Sequence, residues 1–366
     1  MESMNTIITD HYRDAFTHYR ETKQRHPLLL HGDAMQVLRH LPDASIDCVM
    51  TSPPYWHKRV YDDNGLGNEP DYRMYLDRLL GVLTEVKRVL KPTGSLWLNL
   101  GDSYNRKTLL GIPWRIALHL IDRDGWFLRN AVVWHKGKGG MDSAKDRLAN
   151  HYEMVFHFVK QPNGYYYQLD AVRLPPRPPR KEQGRILSAT GVSGRRYRHQ
   201  IDQSSALTDA EKRAAHRALD AALSDLAEGR ITDFRMILRG QHRVPHSDSI
   251  RVSGRAKEIA ERGFAILRYH PNGSKPTDVW TIVPEDTRRR DSHAAPYPEA
   301  LCYIPIVTTC PSDGIVLDPF CGTGTTLVVA TMLGRQAVGI DRSHTYLMIA
   351  RDRWITRCES HNSDSP

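Results

Sequence analysis

Short apolar runs alternate with stretches of helical spacing along most of this chain, and that alternation restricts the fold more than any other feature. "PLLLHGD", "IDCVM", "SLWLNL", "NAVVWHK", "HYEMVFHFVK", "GIVLDPF" and "QAVGID" read as short buried strands. Between them lie helix patterns: "AMQVLRHLP" stopped by Pro42, then Tyr72 to Leu90 with Tyr75, Leu79, Leu83 and Val86 on one stripe, "TTLVVATMLG" and "TYLMIARDRW". "KPTG" (91–94) reads as the turn from the second helix into its strand. Strands separated by helices predict an α/β domain with a doubly wound, largely parallel sheet, and 366 residues are enough to bury a large core.

Regularity fails after "YYYQLDAVRLPPRPPR" and returns near residue 276. The expected organisation is therefore one domain half at 1–172, an insertion at 173–275, and a second half at 276–366. The net charge of +9 is concentrated in that insertion. Pro175 to Lys257 holds 17 Lys+Arg against 9 Asp+Glu, a difference of +8, which leaves +1 for the rest. The cations are mostly arginine, as in "RPPRK", "GRRYRH" and "RMILRGQHR", and guanidinium forks suit phosphates and base edges. A merely solvated basic insertion is the plainer alternative. One helix within it is clear, with Thr208 and Glu211 as a capping box, Ala215, Ala222 and Leu226 on one face, and Gly229 closing it.

Other classes drop out on composition. No apolar run approaches 18 residues, so no membrane partner is expected, and the N-terminus lacks a secretory pattern. Five cysteines form no CxxC pair, which favours reduced thiols in a cytoplasmic protein over disulfides or a metal site.

Two strand ends carry chemistry. "DPFCGTGTT" follows a buried strand, and Gly322 and Gly324 open a helix whose free amides favour an anionic group. "GID" ends the next strand with Asp341, placed to bond ribose hydroxyls as in nucleotide-binding βαβ units. No Gly-Lys-Ser/Thr follows the glycines, so an adenosine-containing cofactor fits better than a Walker loop. At the other strand end, "TSPPYW" stops "IDCVM" with two prolines. That is either a plain strand terminator or a presentation of unpaired backbone groups to a substrate.

Together, "TSPPYW" and "DPFCGTGTT" resemble the β-class of S-adenosylmethionine-dependent DNA amino-methyltransferases, in which the catalytic motif precedes the cofactor motif. The resemblance extends over most of the chain, through "HGDAMQVLRHLPDASIDCVM", "VLKPTGSLWLNLGDSY", "FLRNAVVWHKGKGG" and "DVWTIVPEDTRRRDSHAAPYPEALCYIPI". It implies a Rossmann-like sheet with circularly permuted motif order and places the basic insertion where the family keeps its target-recognition region. It implies S-adenosyl-L-methionine held by Asp318, Pro319, Phe320, Gly322, Gly324, Thr325 and Thr326, with Asp341 at the ribose and Asp33 and Ala34 near the adenine. His293, Ala294, Tyr297 and Pro298 would complete that pocket. The plainer readings are that Asp33 caps a helix and that His293 is a loop residue.

The same resemblance gives the opening motif a task. Ser52 and the Pro53 carbonyl would accept both hydrogens of an exocyclic amine, Pro54 would stiffen the tip, and Tyr55 would stack on a base flipped out of double-stranded DNA. Trp56 either widens that platform or packs in the core, and Asn99 and Asp102 either touch the base edge or, for Asp102, cap a turn. Ser at the first position resembles the N4-cytosine group, whereas the adenine-directed members carry Asp or Asn there. N6-adenine is the alternative within the class, followed by an RNA or protein amide and by a non-catalytic nucleic-acid-binding module. The loop "HKRVYDDNGLGNEP" reads as a lid over DNA or as a solvated loop, and a separate cognate restriction endonuclease would be the protein partner.

Overall fold

The computed structural model describes residues 8–58, 65–137, 144–176, 180–182, 185–187, 194–240, 254–284 and 297–363. His293 and Ala294, and residues 59–64 of the loop after Trp56, lie outside the described residues. In chain order the first elements are β1 (Ile8–Thr9), α1 (Tyr12–Thr22), β2 (Leu28–His31), α2 (Ala34–His40), β3 (Ile46–Thr51), α3 (Tyr72–Val89) and β4 (Leu90–Leu100). A two-stranded loop, β5 (Tyr104–Asn105) with β6 (Thr108–Leu109), leads to α4 (Ile112–Asp122), β7 (Phe127–His135) and β8 (Tyr152–Val159). Then come β9 (Arg180–Glu182), β10 (Arg185–Leu187), α5 (Gly194–Asp202), α6 (Asp209–Ala227), β11 (Asp233–Leu238), α7 (Gly254–Arg262) and β12 (Phe264–Tyr269). The chain closes with β13 (Val279–Thr281), α8 (Glu299–Thr309), β14 (Ile315–Asp318), α9 (Thr325–Met332), β15 (Gln336–Asp341) and α10 (His344–Ser363).

Two compact units result, one of 1–171 with 277–366 and one of 172–276. The first is built on a nine-stranded sheet of order β1-β2-β15-β14-β3-β4-β8-β7-β13. Neighbours run parallel except at β8, which is antiparallel to both β4 and β7. Side chains along each strand go alternately to two cores. Leu28, Leu30, Ile46, Val49, Leu96, Leu98, Ile315 and Leu317 face the helices α1 to α4, whereas Leu29, Cys48, Met50, Trp97 and Val316 face α8, α9 and α10. This period of two, buried on both sides, is why the strand sequences lack a polar alternate position.

One expected turn is a bulge instead. Leu90 pairs with Ile46 and Ser95 with Cys48, so 91–94 bulge against the single residue Asp47. Lys91 Nζ reaches the Asp47 carboxylate at 2.8 and 2.9 Å, and Asp47 also accepts from the Ile315 amide at 2.9 Å. The bulge thus lets one acidic side chain bind three successive strands of the sheet.

The second unit has its own core, in which Tyr197, Ile201, Leu219, Phe234 and Phe264 join α5 and α6 to the β11–β12 hairpin. Thr208 and Glu211 form the capping box of α6, and Gly229 follows its end at φ +73°. Several of its arginines serve this fold. Arg239 pairs with Glu211, and Arg230 and Arg268 both pair with Asp225. Arg195, Arg196, Arg213, Arg217 and Arg235 are exposed. Among the described residues, no helix is long and apolar enough to cross a membrane.

Candidate active site

Every candidate residue of the first unit that the structure describes sits at or beside the C-terminal edge of the parallel strands, where open α/β sheets bind ligands. Asp33 follows β2, Asp341 ends β15, Asp318 ends β14, and Ser52 follows β3, in that spatial order across the sheet. Asn99 stands near the same end of β4. Because β8 runs the other way, its first residues reach this edge too and bring Glu153.

Asp318 is 1% exposed and accepts four hydrogen bonds. Thr326 Oγ1 donates at 2.6 Å, Thr51 Oγ1 at 2.7 Å, the Phe320 amide at 3.1 Å and the Tyr297 hydroxyl at 3.1 Å. Burial raises its carboxyl above the usual range, and the four donors oppose that shift. Tyr297 also bonds Thr326, and burial, helped by the Asp318 charge, pushes its phenol well above the ordinary value. Asp318 therefore organises the loop and the neighbouring strand end, with its oxygens already engaged by protein donors. Pro319 is buried, Phe320 half-buried, and Pro298 directly precedes α8 without a side-chain capping bond. Thr325 Oγ1 accepts from Arg353 at 2.8 Å, and Arg353 reaches Glu299 at 2.9 Å.

Beyond Asp318 the loop opens. Gly322 (φ +48°) faces empty space, since a Cβ there would meet nothing within 4 Å. Gly324 (φ +79°) instead packs so closely on α10 that a Cβ would lie 2.7 Å from Ala350 Cβ. The two glycines thus differ, one leaving open space in front of the loop and the other allowing close helix packing. Asp341 Oδ2 accepts from the Gly322 amide at 2.9 Å and Oδ1 from the Ser343 amide at 2.8 Å. Burial raises its carboxyl, against those two amide bonds. Asp33 caps α2 through the Met35 and Gln36 amides, and Ala34 is buried at the first position of that helix. A Cβ at Gly322 would therefore stand in open space, next to an amide held by Asp341 and just before the start of α9.

At the adjoining strand end, Ser52 Oγ lies 3.0 Å from the Tyr55 hydroxyl, which donates to Glu153 Oε2 at 2.7 Å. Asn99 Nδ2 reaches Ser52 Oγ at 3.2 Å, Tyr55 Oη at 2.9 Å and Glu153 Oε2 at 3.0 Å. Lys136 Nζ closes the cluster on Glu153 Oε1 at 2.5 Å. The Tyr55 ring lies on Gly101, where a Cβ would come within 2.6 Å of Cε2. The Pro54 carbonyl accepts from Tyr75 at 2.9 Å, while no donor among the described residues reaches the Pro53 carbonyl. Pro53 itself is buried, and Ser52, Pro54 and Tyr55 are half-buried.

Two expectations settle on their plainer side. Trp56 is buried, donates to the Glu69 carbonyl at 2.8 Å and stacks on His57, so it packs rather than widening a platform. Asp102 caps the start of α4 through the Gly111 and Ile112 amides at 3.0 and 3.1 Å. Asn99 is 1% exposed and supports the cluster from below. Glu153, Lys136 and Thr51 belong to the site although the motifs do not single them out. The available signal was an acidic residue opening an otherwise apolar strand, "HYEMVFHFVK".

Comparison with known proteins shows the family of the chain. A family model described as DNA methylase, of the N6/N4 methyltransferases, matches residues 46–352. The Type II methyltransferase M.SfiI of Streptomyces fimbriatus is 32% identical over 374 residues, covering 86% of this chain and 88% of its own. M.SmaI of Serratia marcescens is 25% identical over 367 residues, covering 92% and 94%. Among solved structures, the PvuII DNA methyltransferase (cytosine-N4-specific) superposes with a TM-score of 0.53 at 16% identity, covering 91% of this chain and 92% of that one.

Proposed function

The chain belongs to the N6/N4 DNA methylase family of S-adenosylmethionine-dependent amino-methyltransferases of the Type II kind, and on that premise we propose that its acceptor is the N4 amine of cytosine in duplex DNA. The observation that carries this reading is the pair formed by Ser52 Oγ and the Pro53 carbonyl. The first is oriented by Tyr55 and Asn99, and the second has no donor among the described residues. An exocyclic amine has a lone pair delocalised into its ring and is a poor nucleophile. Two acceptors on its two hydrogens favour a pyramidal nitrogen with that lone pair directed outwards. When bound, S-adenosylmethionine supplies an electrophilic methyl group on a sulfonium. The chain's part is to hold that cofactor over Gly322 with Asp341 at the ribose, and to hold the amine at Ser52.

A neutral hydroxyl at the first position of the motif favours cytosine, since the adenine-directed members of the family carry Asp or Asn there. The half-buried Tyr55 ring offers a stacking face to a flipped base. The 172–276 unit, with exposed Arg195, Arg196, Arg213, Arg217 and Arg235, is assigned to target recognition. A separate restriction endonuclease of the same specificity is the functional partner this implies. The test is to methylate DNA with the enzyme, digest it to nucleosides and identify the product by mass spectrometry. N4-methylcytosine is the expected product, and N6-methyladenine would replace cytosine by adenine in this reading.

A further inference from the structure

Glu153 divides its two oxygens. Oε1 takes Lys136 Nζ, while Oε2 takes the Tyr55 hydroxyl and Asn99 Nδ2. A carboxylate paired with a lysine only accepts, so the Tyr55 proton lies on the Glu153 side. The Tyr55 oxygen is then the acceptor for Ser52, whose own proton points away from the mouth of the site. One Ser52 lone pair serves Asn99, and the other is left for an incoming donor. From this directed chain we infer that Glu153 is a positioning residue that fixes Ser52 as the acceptor for the substrate amine and receives, through Ser52 and Tyr55, the proton that the amine gives up. The inference rests on the placement of the amine at Ser52 made above.

The proton count closes. Methylation leaves the amine nitrogen with one hydrogen too many and a positive charge. That proton passes to Ser52 Oγ as the Ser52 proton passes to Tyr55 Oη and the Tyr55 proton to Glu153 Oε2. Both hydroxyls end neutral with their hydrogens turned the other way, and the carboxyl holds the proton until water removes it. Burial, followed by the Glu153 charge, raises Tyr55 well above the usual phenol range, so it enters the relay as a hydroxyl. The Glu153 side chain keeps 12% of its exposure, enough for exchange with solvent.

Glu153→Gln tests this at nearly constant shape. Lysine cannot accept a hydrogen bond, so the glutamine must turn its oxygen to Lys136 and its NH2 to Tyr55 and Asn99, which reverses the chain. Single-turnover transfer from labelled S-adenosylmethionine to a random-sequence duplex DNA library is measured beside cofactor affinity by calorimetry and the melting temperature. We expect Glu153→Gln to slow transfer about tenfold or more while the cofactor Kd stays within about twofold. Tyr55→Phe should slow transfer comparably, and the double variant should be no slower than the slower single one. Wild-type speed in Glu153→Gln, multiplicative losses in the double variant, or a loss of cofactor affinity equal to the loss in rate would each overturn the inference. If Glu153→Gln melts early, Tyr55→Phe decides by the same criterion, because it keeps the Glu153–Lys136 pair. Ser52→Ala separates the two readings: it slows transfer if Ser52 grips the amine, and at wild-type speed it removes that placement whatever Glu153 does.

Discussion

Thr51 Oγ1 donates to Asp318 Oδ1 at 2.7 Å across 267 residues of sequence, joining the last residue of β3 to the last residue of β14. Ser52 follows directly, so the strand end proposed to hold the substrate amine is moored to the loop proposed to hold the cofactor. Thr51→Val keeps the shape and removes that donor. It should cost about 1–2 kcal/mol of stability in urea unfolding and lower methyl transfer more than cofactor affinity. Asp318→Asn presents an NH2 to a site built of donors, and about 3 kcal/mol or more should be lost.

Asp341 orders the Gly322 amide, and a Cβ at Gly322 would meet nothing within 4 Å. Asp341→Ala should weaken S-adenosylmethionine about tenfold or more in calorimetry, because both the ribose acceptor and the loop anchor are lost. An unchanged Kd would remove the ribose assignment.

Gly101 lies under the Tyr55 ring, within the reach of an added methyl. Gly101→Ala should displace the ring and disturb the Ser52–Tyr55–Glu153 geometry. The expected result is a drop of about tenfold in the single-turnover rate, with cofactor binding near wild type.

His157 is buried, stacks on Trp97 at 4.2 Å and bonds Ser95 Oγ at 3.0 Å. Burial, with a smaller contribution from Arg129, holds its pKa down to about 3. The depressed value means that the unfolded chain takes up a proton first as pH falls. Stability is therefore full above the ordinary histidine pKa near 6.5 and is lost progressively towards 3. By pH 5 this one group should have removed about 2 kcal/mol, and His157→Leu should flatten that part of the pH–stability curve in denaturant titrations.

The elements were legible in the sequence wherever a local pattern decides them. The runs around Leu28, Val49 and Val316 are buried on two sides, and Gly322 to Thr326 form a strand–loop–helix junction that needs no distant partner to be recognised. The pieces that depend on pairing were not legible. Glu153 reaches Tyr55 and Asn99 only because β8 is antiparallel to β4, and nothing in "HYEMVFHFVK" states a direction. The bulge at 91–94 depends on Asp47 beneath it, so the sequence reads there as a simple turn. Asp102 looked able to touch a base because it shares a strand end with Asn99, yet the orphan amides of α4 claim it.

The sheet order has a consequence for how the protein is made. β14 and β15 sit between β2 and β3, which are synthesised well before them. Those two early strands cannot pair with each other in the native register and must wait for a wedge from 315–341 to part and join them. Until then the nascent chain carries two open edges, and the cofactor loop has not been synthesised. A chain that stops short of 315–341 thus lacks both the wedge and the loop after β14, and its open edges are expected to make it prone to stick.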